Sequence, residues 1–223
     1  YIEYKLAYTQ AQVIYASFTS SLSNKRSRQV RNEIRSGKAF RQVSNNTLTS
    51  DASAVQFWEL SNGGHFISSG VGGSITGMGG NLLILDDPIK GRIEANSPII
   101  RQNIVDWFNS DFITRLTPDG NLIVIQTRWH QQDITGVLLK EIEKDKNYLG
   151  FTWKHINMPA INDEGEALWQ DRYPLEKLLK LKTANEYEFA SLYQQKPVPK
   201  GGTVFQDTYY YEPEELPVVG FNQ

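Results

Sequence analysis

Short apolar runs alternate along this chain with stretches whose apolar residues recur at helical spacing. Residues 1–8 predict the end of a helix. Gln12-Val13-Ile14-Tyr15-Ala16-Ser17-Phe18 is apolar and β-prone and predicts a buried strand. Thr19 or Ser20 can cap a helix over 21–36, where Leu22, Val30 and Ile34 share one stripe. The polar stretch from Val43 to Ser53 predicts a loop. Residues 54–60 predict a strand, Asn62-Gly63-Gly64 a turn, and 65–69 a returning partner. The glycine-rich run 70–80 leads into Leu82-Leu83-Ile84-Leu85-Asp86-Asp87-Pro88, an apolar run too short for a buried helix and suited to a buried strand.

Ser97 as cap with Pro98 at the first helical position starts a helix. Ile100, Ile104, Val105, Phe108, Phe112 and Leu116 carry its stripe to about residue 116. Pro118-Asp119-Gly120 predicts a turn, 121–127 a second buried strand, and 131–145 a helix with Ile134, Val137, Leu138 and Ile142 on one face. Residues 151–156 alternate and predict an edge strand. Asn162–Glu166 predicts an acidic turn and Pro174 opens a charged helix over 174–194. Strand and helix recurring in this way predict an α/β layer with a mainly parallel sheet. Lys196-Pro197-Val198-Pro199-Lys200-Gly201-Gly202 has the composition of a linker.

Composition narrows the chemistry rather than the fold. The 223 residues allow one full core, or one domain with a tail. With no cysteine, disulfide scaffolds and thiolate metal sites are excluded. His65, His130 and His155 lack metal-ligand spacing and predict satisfied or surface histidines. No apolar run approaches the length of a membrane span, and the opening Tyr1-Ile2-Glu3-Tyr4 reads as the middle of a longer chain. The net charge of −2 gives no nucleic-acid signal by itself, so any basic surface must be local. One is: Lys25, Arg26, Arg28, Arg31 and Arg35 crowd the helix over 21–36, opposed only by Glu33. That helix reads as a solvated face, or as a surface on which Arg28, Arg31 and Arg35 meet a phosphate backbone or a neighbouring subunit's acidic patch.

The candidate chemistry centres on Asp86 and Asp87. A strand delivering two adjacent acids to the carboxyl end of a sheet places them where α/β proteins bind ligands. Such a pair suits a hard cation, with one carboxylate near Mg²⁺ and the next near a reacting water. A solvated Asp-Asp-Pro turn is the alternative. The glycine-rich run is no P-loop, because no lysine follows it and the pattern G-x-x-x-x-G-K-[ST] occurs nowhere in the chain.

Four ordered segments resemble the ATPase part of the large terminase subunit of tailed bacteriophages, the DNA-packaging motor. They are residues 13–18 with the basic Ser27–Asn32; Gly70–Gly77 leading into 82–90; Val124-Ile125-Gln126-Thr127-Arg128-Trp129-His130 with Asp133; and Phe189–Pro197 with Gly201-Gly202. Each alone is weak; the ordered set is specific. The resemblance implies a P-loop NTPase fold of the ASCE, RecA-like type, incomplete at its N-terminus. Residues 1–196 would be a partial ATPase domain without its Walker A loop, and 197–223 a linker toward a nuclease domain. Asp207, Glu212, Glu214 and Glu215 read as solvated tail rather than that nuclease's acids.

The resemblance also implies roles. Asp86 would associate with Mg²⁺ through a water, and Asp87 would polarise the attacking water, a position where related ATPases commonly carry glutamate. Gln126 and Thr127 would sense the γ-phosphate of ATP and couple hydrolysis to movement. Arg128 would stabilise transition-state charge or pair with an acid, while Trp129 and His130 read as packing. The implied partners are double-stranded DNA, the terminase small subunit, the portal protein and further copies in a ring; no membrane is implied. The implied place is the host cytoplasm, at the procapsid portal. Another nucleic-acid motor, of the helicase or recombinase class, and a non-catalytic prophage remnant acting as a binding module are the alternative readings.

Overall fold

The computed structural model describes residues 9–199 apart from Thr76, together with Ile2, Lys5 and Leu6. Residues 200–223, most of the expected linker and all of the acidic tail, lie outside the described residues, as does most of the expected helix end at 1–8. The chain is α/β. Six strands form one sheet: β1 (Gln12–Ser17), β2 (Leu48–Ser53), β3 (Phe57–Leu60), β4 (His65–Gly70), β5 (Gly80–Asp86) and β6 (Leu116–Ile125). Their spatial order is β2-β3-β4-β1-β5-β6. The β4, β1, β5 and β6 strands run parallel, and the β2-β3-β4 side is antiparallel.

Alternation along the strands splits the core into two layers. Ile14, Ala16, Leu83 and Leu85 face one side, where α4 (Pro98–Trp107) and α5 (Ile134–Lys144) supply Ile104, Trp107, Ile134 and Leu138. Val13, Tyr15, Leu82 and Ile84 face the other, packing with Trp58, Phe66, Ile34 of α1 (Ser20–Ser36) and Phe40 of α2 (Lys38–Val43). Strands buried on both faces read as unbroken apolar runs, which is why β1 and β5 stand out in the sequence.

The α1 helix is capped as expected: the Thr19 hydroxyl accepts from the Leu22 amide at 3.3 Å. Its seat on the sheet is more polar than the Leu22–Val30–Ile34 stripe suggests. Ser23 and Ser27 are fully buried, and their hydroxyls donate to the Ser69 and Val55 carbonyls at 2.7 and 2.6 Å. The Trp58 indole N–H donates to Ser27 Oγ at 2.9 Å. Gly70 permits the close approach of β4 to this helix: a Cβ there would lie 2.7 Å from the Ser20 amide nitrogen.

Several local expectations are corrected. Residues 43–53 are not all loop: α2 and β2 occupy much of the interval from Lys38 to Ser53. As the end strand of the sheet β2 keeps a solvent-facing side, so its sequence is polar. Residues 151–156 form no strand; Lys154, His155 and Ile156 are exposed, and the Trp153 indole donates to the Tyr148 carbonyl at 2.8 Å. Alternation alone makes no strand without a sheet edge to join. Pro118-Asp119-Gly120 lies inside β6 rather than before it. Leu116 pairs with Gly80 and Asn121 with Leu82, so the turn bulges out of a longer strand. Between Asp86 and the helix at 98 a short unpredicted helix, α3 (Arg92–Asn96), intervenes. The helix from 98 passes into a π-turn at Phe108–Phe112 and a 3₁₀ turn at Ile113–Arg115. The helix expected over 174–194 is α6 (Leu175–Ala184), broken at Asn185, whose side chain caps the turns that follow.

Replacing Ser27 with Ala strands the buried Trp58 indole N–H without its acceptor. A loss of about 1–3 kcal/mol in unfolding free energy is expected from urea denaturation, with the fold retained.

Candidate functional site

Three parallel strand ends meet at the carboxyl edge of the sheet. The peptide of Asp87 is bonded on both sides: its carbonyl accepts from Phe18 N at 3.2 Å and its N–H donates to the Ile125 carbonyl at 2.9 Å. The end of β1, the Asp86-Asp87 step and the end of β6 are therefore in register. The sequence places acids at this edge, and the structure brings Asp86, Asp87, Gln126 and Thr127 to it.

The two carboxylates do different things. Asp86, paired with Ser17 across to β1, lies on the Tyr15 side of the sheet. One of its oxygens accepts a short hydrogen bond from the Tyr15 hydroxyl. Asp87 leaves strand geometry with φ 43°, a left-handed backbone that aspartate tolerates better than most residues. Its Oδ1 accepts from the Thr127 amide at 2.9 Å. Each half-buried carboxylate is thus held through one oxygen. No further bond to either side chain occurs among the described residues.

Tyr15 was read from the sequence as a strand residue only. Burial, and then the Asp86 carboxylate beside it, push its phenol well above the ordinary tyrosine pKa of 10; the Arg26 guanidinium opposes this weakly. Parity explains the contact once the register is known: two residues before Ser17, Tyr15 shares the face of the residue opposite Ser17, which is Asp86, and only the strand pairing supplies that register.

Gln126 turns toward the first turn of α5. Its Oε1 accepts from the Thr135 hydroxyl at 2.8 Å and the Thr135 amide at 3.3 Å. Its Nε2 is buried and has no acceptor among the described residues, and Ser17 Oγ, beside Asp86, is likewise buried and unbonded. Buried donors without partners are costly and mark places where a ligand or water supplies the missing bond.

Arg128 takes the second of its two expected roles. Its Nε lies 3.0 and 3.1 Å from the two carboxylate oxygens of Asp133, which is fully buried. Asp133 also caps α5, accepting from Gly136 N at 2.9 Å and His130 N at 3.2 Å. His130 Nδ1 accepts from Gln132 N at 3.0 Å, and burial, followed by Arg101, lowers its pKa. Trp129 packs against the α4–α5 core.

A clasp that sequence reading missed ties this edge to the C-terminal turns. Arg92 forms a fork on Glu188 at 2.9 and 2.5 Å, donates to the Trp129 carbonyl, and stacks on the rings of Trp129 and Tyr187. Beside it Gln195 Oε1 accepts from the Arg128 amide at 3.1 Å. The partners Arg92 and Glu188 are 96 residues apart, beyond any local pattern.

Arg28 and Arg35 are exposed on α1, and no bond from either to these strand ends occurs among the described residues; Arg31 is half-buried and donates to the Ser53 carbonyl at 2.5 Å. Among the described residues no group of three or more His, Cys, Asp or Glu could cage a metal ion. Nor is any helix among them long and apolar enough to cross a membrane. No protein-family model matches the chain, and no curated protein matches it.

Two outcomes follow from this geometry. Tyr15→Phe removes a phenol whose folded pKa is raised, so its contribution to stability is present below about pH 10 and lost as pH rises above it. Between pH 9 and 11, denaturation should show wild type losing stability faster than the variant, by at most about 1.4 kcal/mol per pH unit. Arg128→Met leaves the Asp133 carboxylate buried without its counter-charge. Unfolding free energy should fall by about 3–5 kcal/mol in chemical denaturation.

Proposed function

We propose that this chain is the ATPase portion of a nucleic-acid motor of the phage terminase large-subunit type, coupling Mg²⁺-ATP hydrolysis to translocation of double-stranded DNA into a procapsid. The observation that carries the reading is the pairing of Asp87 with the Thr127 amide, at neighbouring parallel strand ends with Asp86 alongside. Phosphoryl transfer asks for little covalent chemistry from a protein; it asks for positioned charge, a metal ion and an oriented water. Mg²⁺ in such sites is held by one or two carboxylates together with substrate phosphates, and it would neutralise charge on the transferring group. The donor set fits: two carboxylates, each held through one oxygen, with no bond to the other oxygen among the described residues.

In this reading Tyr15 orients Asp86, which would hold the Mg²⁺ ion. Asp87, the shorter relative of the usual glutamate, orients the attacking water from a left-handed step that shifts its carboxylate off the strand line. Gln126 offers its unpartnered Nε2 to a phosphate oxygen, and Thr127 links that strand end to Asp87. Arg128, engaged by Asp133, shapes the loop after β6 rather than meeting phosphate.

The chain holds no glycine-rich loop ending in lysine. The outer edge of β6 carries Leu122-Ile123-Val124-Ile125 with no strand beyond it among the described residues, and Ile125 is 52% exposed. A parallel strand joining there would bring its terminal loop beside Asp87 and Thr127, where a phosphate-gripping lysine is needed. The P-loop NTPase fold, the ring of subunits, the small-subunit and portal partners and the location at the procapsid portal belong to the same reading.

The 223-residue chain should bind Mg²⁺-ATP weakly and turn it over slowly or not at all. A melting-temperature shift measured with ATP, with and without Mg²⁺, tests binding; ATP at ten times its Kd stabilises by about 1.4 kcal/mol. Asp86→Asn should abolish the Mg²⁺-dependent part. No Mg²⁺-dependent shift at millimolar ATP sinks the catalytic reading, and steady turnover abolished by Asp86→Ala sinks the need for a further loop.

A further inference from the structure

We propose that the outward stripe of α1, formed by Lys25, Arg28 and Arg35 with Arg31 at its margin, is a contact for the phosphate backbone of duplex DNA. The stripe follows from helix geometry. At about 100° per residue, Lys25, Arg28, Arg31 and Arg35 fall within about 120° of one another, and Ser21 and Asn32 lie in the same sector. Glu33, the single acid of the helix, falls outside that sector, so the stripe is of one sign.

None of these cations forms an ion pair among the described residues; the ion pairs recorded there lie on other elements. The cations instead crowd one another: burial, then Arg35 and Arg28, lower the pKa of Arg31. Unneutralised like charges at close spacing raise the energy of the free protein, and an anionic partner relieves it. The buried Ser23 and Ser27 bonds fix the opposite side of the helix on the sheet, so the stripe is presented on a rigid support. Its first turns line a concavity of about 550 Å³ bounded by Ser20, Ser21, Asn24, Lys25 and Arg28.

The chemistry favours phosphate over protein carboxylates. From Ser21 to Arg35 the helix runs about 21 Å, long enough for successive cations to meet successive phosphates, whose spacing is regular. Guanidinium forks suit phosphate oxygens, and serine and asparagine side chains are common phosphate partners alongside them. An acidic protein surface would have to present carboxylates in the same regular row. The inference names a contact for the DNA of the motor reading, but it requires no nucleotide and no hydrolysis.

The test is fluorescence anisotropy of the purified full chain with a labelled 20-base-pair duplex, in the absence of ATP, from 50 to 200 mM salt. Three phosphate contacts give a slope of log K against log salt of about −2.7. The double variant Arg28→Glu/Arg35→Glu should bind at least about tenfold more weakly with a shallower slope, while Lys146→Glu, at an exposed site elsewhere, should bind as wild type. Thermal melting confirms that the double variant is folded. Wild-type affinity in a folded double variant overturns the proposal, as does the lack of salt-dependent duplex binding by the wild type. A stripe-dependent melting shift with polyglutamate but not with duplex also overturns it, in favour of an acidic protein partner. Because no arm contains nucleotide, failure here leaves the Mg²⁺-ATP reading standing, and failure of that reading leaves this one testable.

Discussion

The double anchoring of the Asp87 peptide is the constraint on which the carboxyl edge depends. With its N–H on the Ile125 carbonyl and its C=O on the Phe18 amide, one residue ties three parallel strands at a common level. The left-handed turn at Asp87 is held from both sides, as a sparsely populated backbone must be if it is to persist. The consequence is a division of labour between neighbouring acids. Asp86 completes the strand and meets Tyr15 on one face, while Asp87 steps out of the strand and meets Thr127. Two carboxylates adjacent in sequence would otherwise point to opposite sides of a sheet.

Around that edge the structure adds a second tier of bonds that fix loops rather than chemistry. Asp133 is desolvated completely, which is tolerable because Arg128, the Gly136 amide and the His130 amide surround its carboxylate. Arg92 closes the other side, joining the segment after Asp87 to Trp129 and to the turns at 187–188. The loops after β5 and after β6 are thereby tied to the same C-terminal segment.

What the sequence made legible tracks how local the cause is. The β1 and β5 strands are plain because burial on both faces forces unbroken apolar runs. The Ser97-Pro98 and Thr19 helix starts are plain because caps act within three residues. Asp86, Asp87, Gln126 and Thr127 are legible as strand-end polar residues, and all four lie at the carboxyl edge, where Asp87 bonds the Thr127 amide while Asp86 and Gln126 turn to opposite faces of the sheet. The Tyr15 contact to Asp86 and the Arg92–Glu188 fork are not, since both join residues more than 70 apart. The role of Arg128 stayed open because an arginine after a strand reads the same whether it meets phosphate or carboxylate. The structure pairs it with Asp133, a partner hidden from the sequence because Asp133 falls inside the helix expected over 131–145 and proves to be its cap.

The two edges of the sheet differ in a way that bears on the motor reading. The β2 edge is polar, Leu-Thr-Ser-Asp-Ala-Ser, which is how an edge meant for water avoids unwanted pairing. The β6 edge carries Leu-Ile-Val-Ile with no charge to protect it, and only the Pro118-Asp119-Gly120 bulge at its beginning interrupts it. An apolar strand edge with no strand beyond it among the described residues invites another strand. Parallel alignment of β1, β5 and β6 means that a strand added in the same sense would also end at the Asp87–Thr127 level. The polarity of the two edges therefore supports a site completed from the β6 side, where Asp87 already faces, and not from the side of the hairpin.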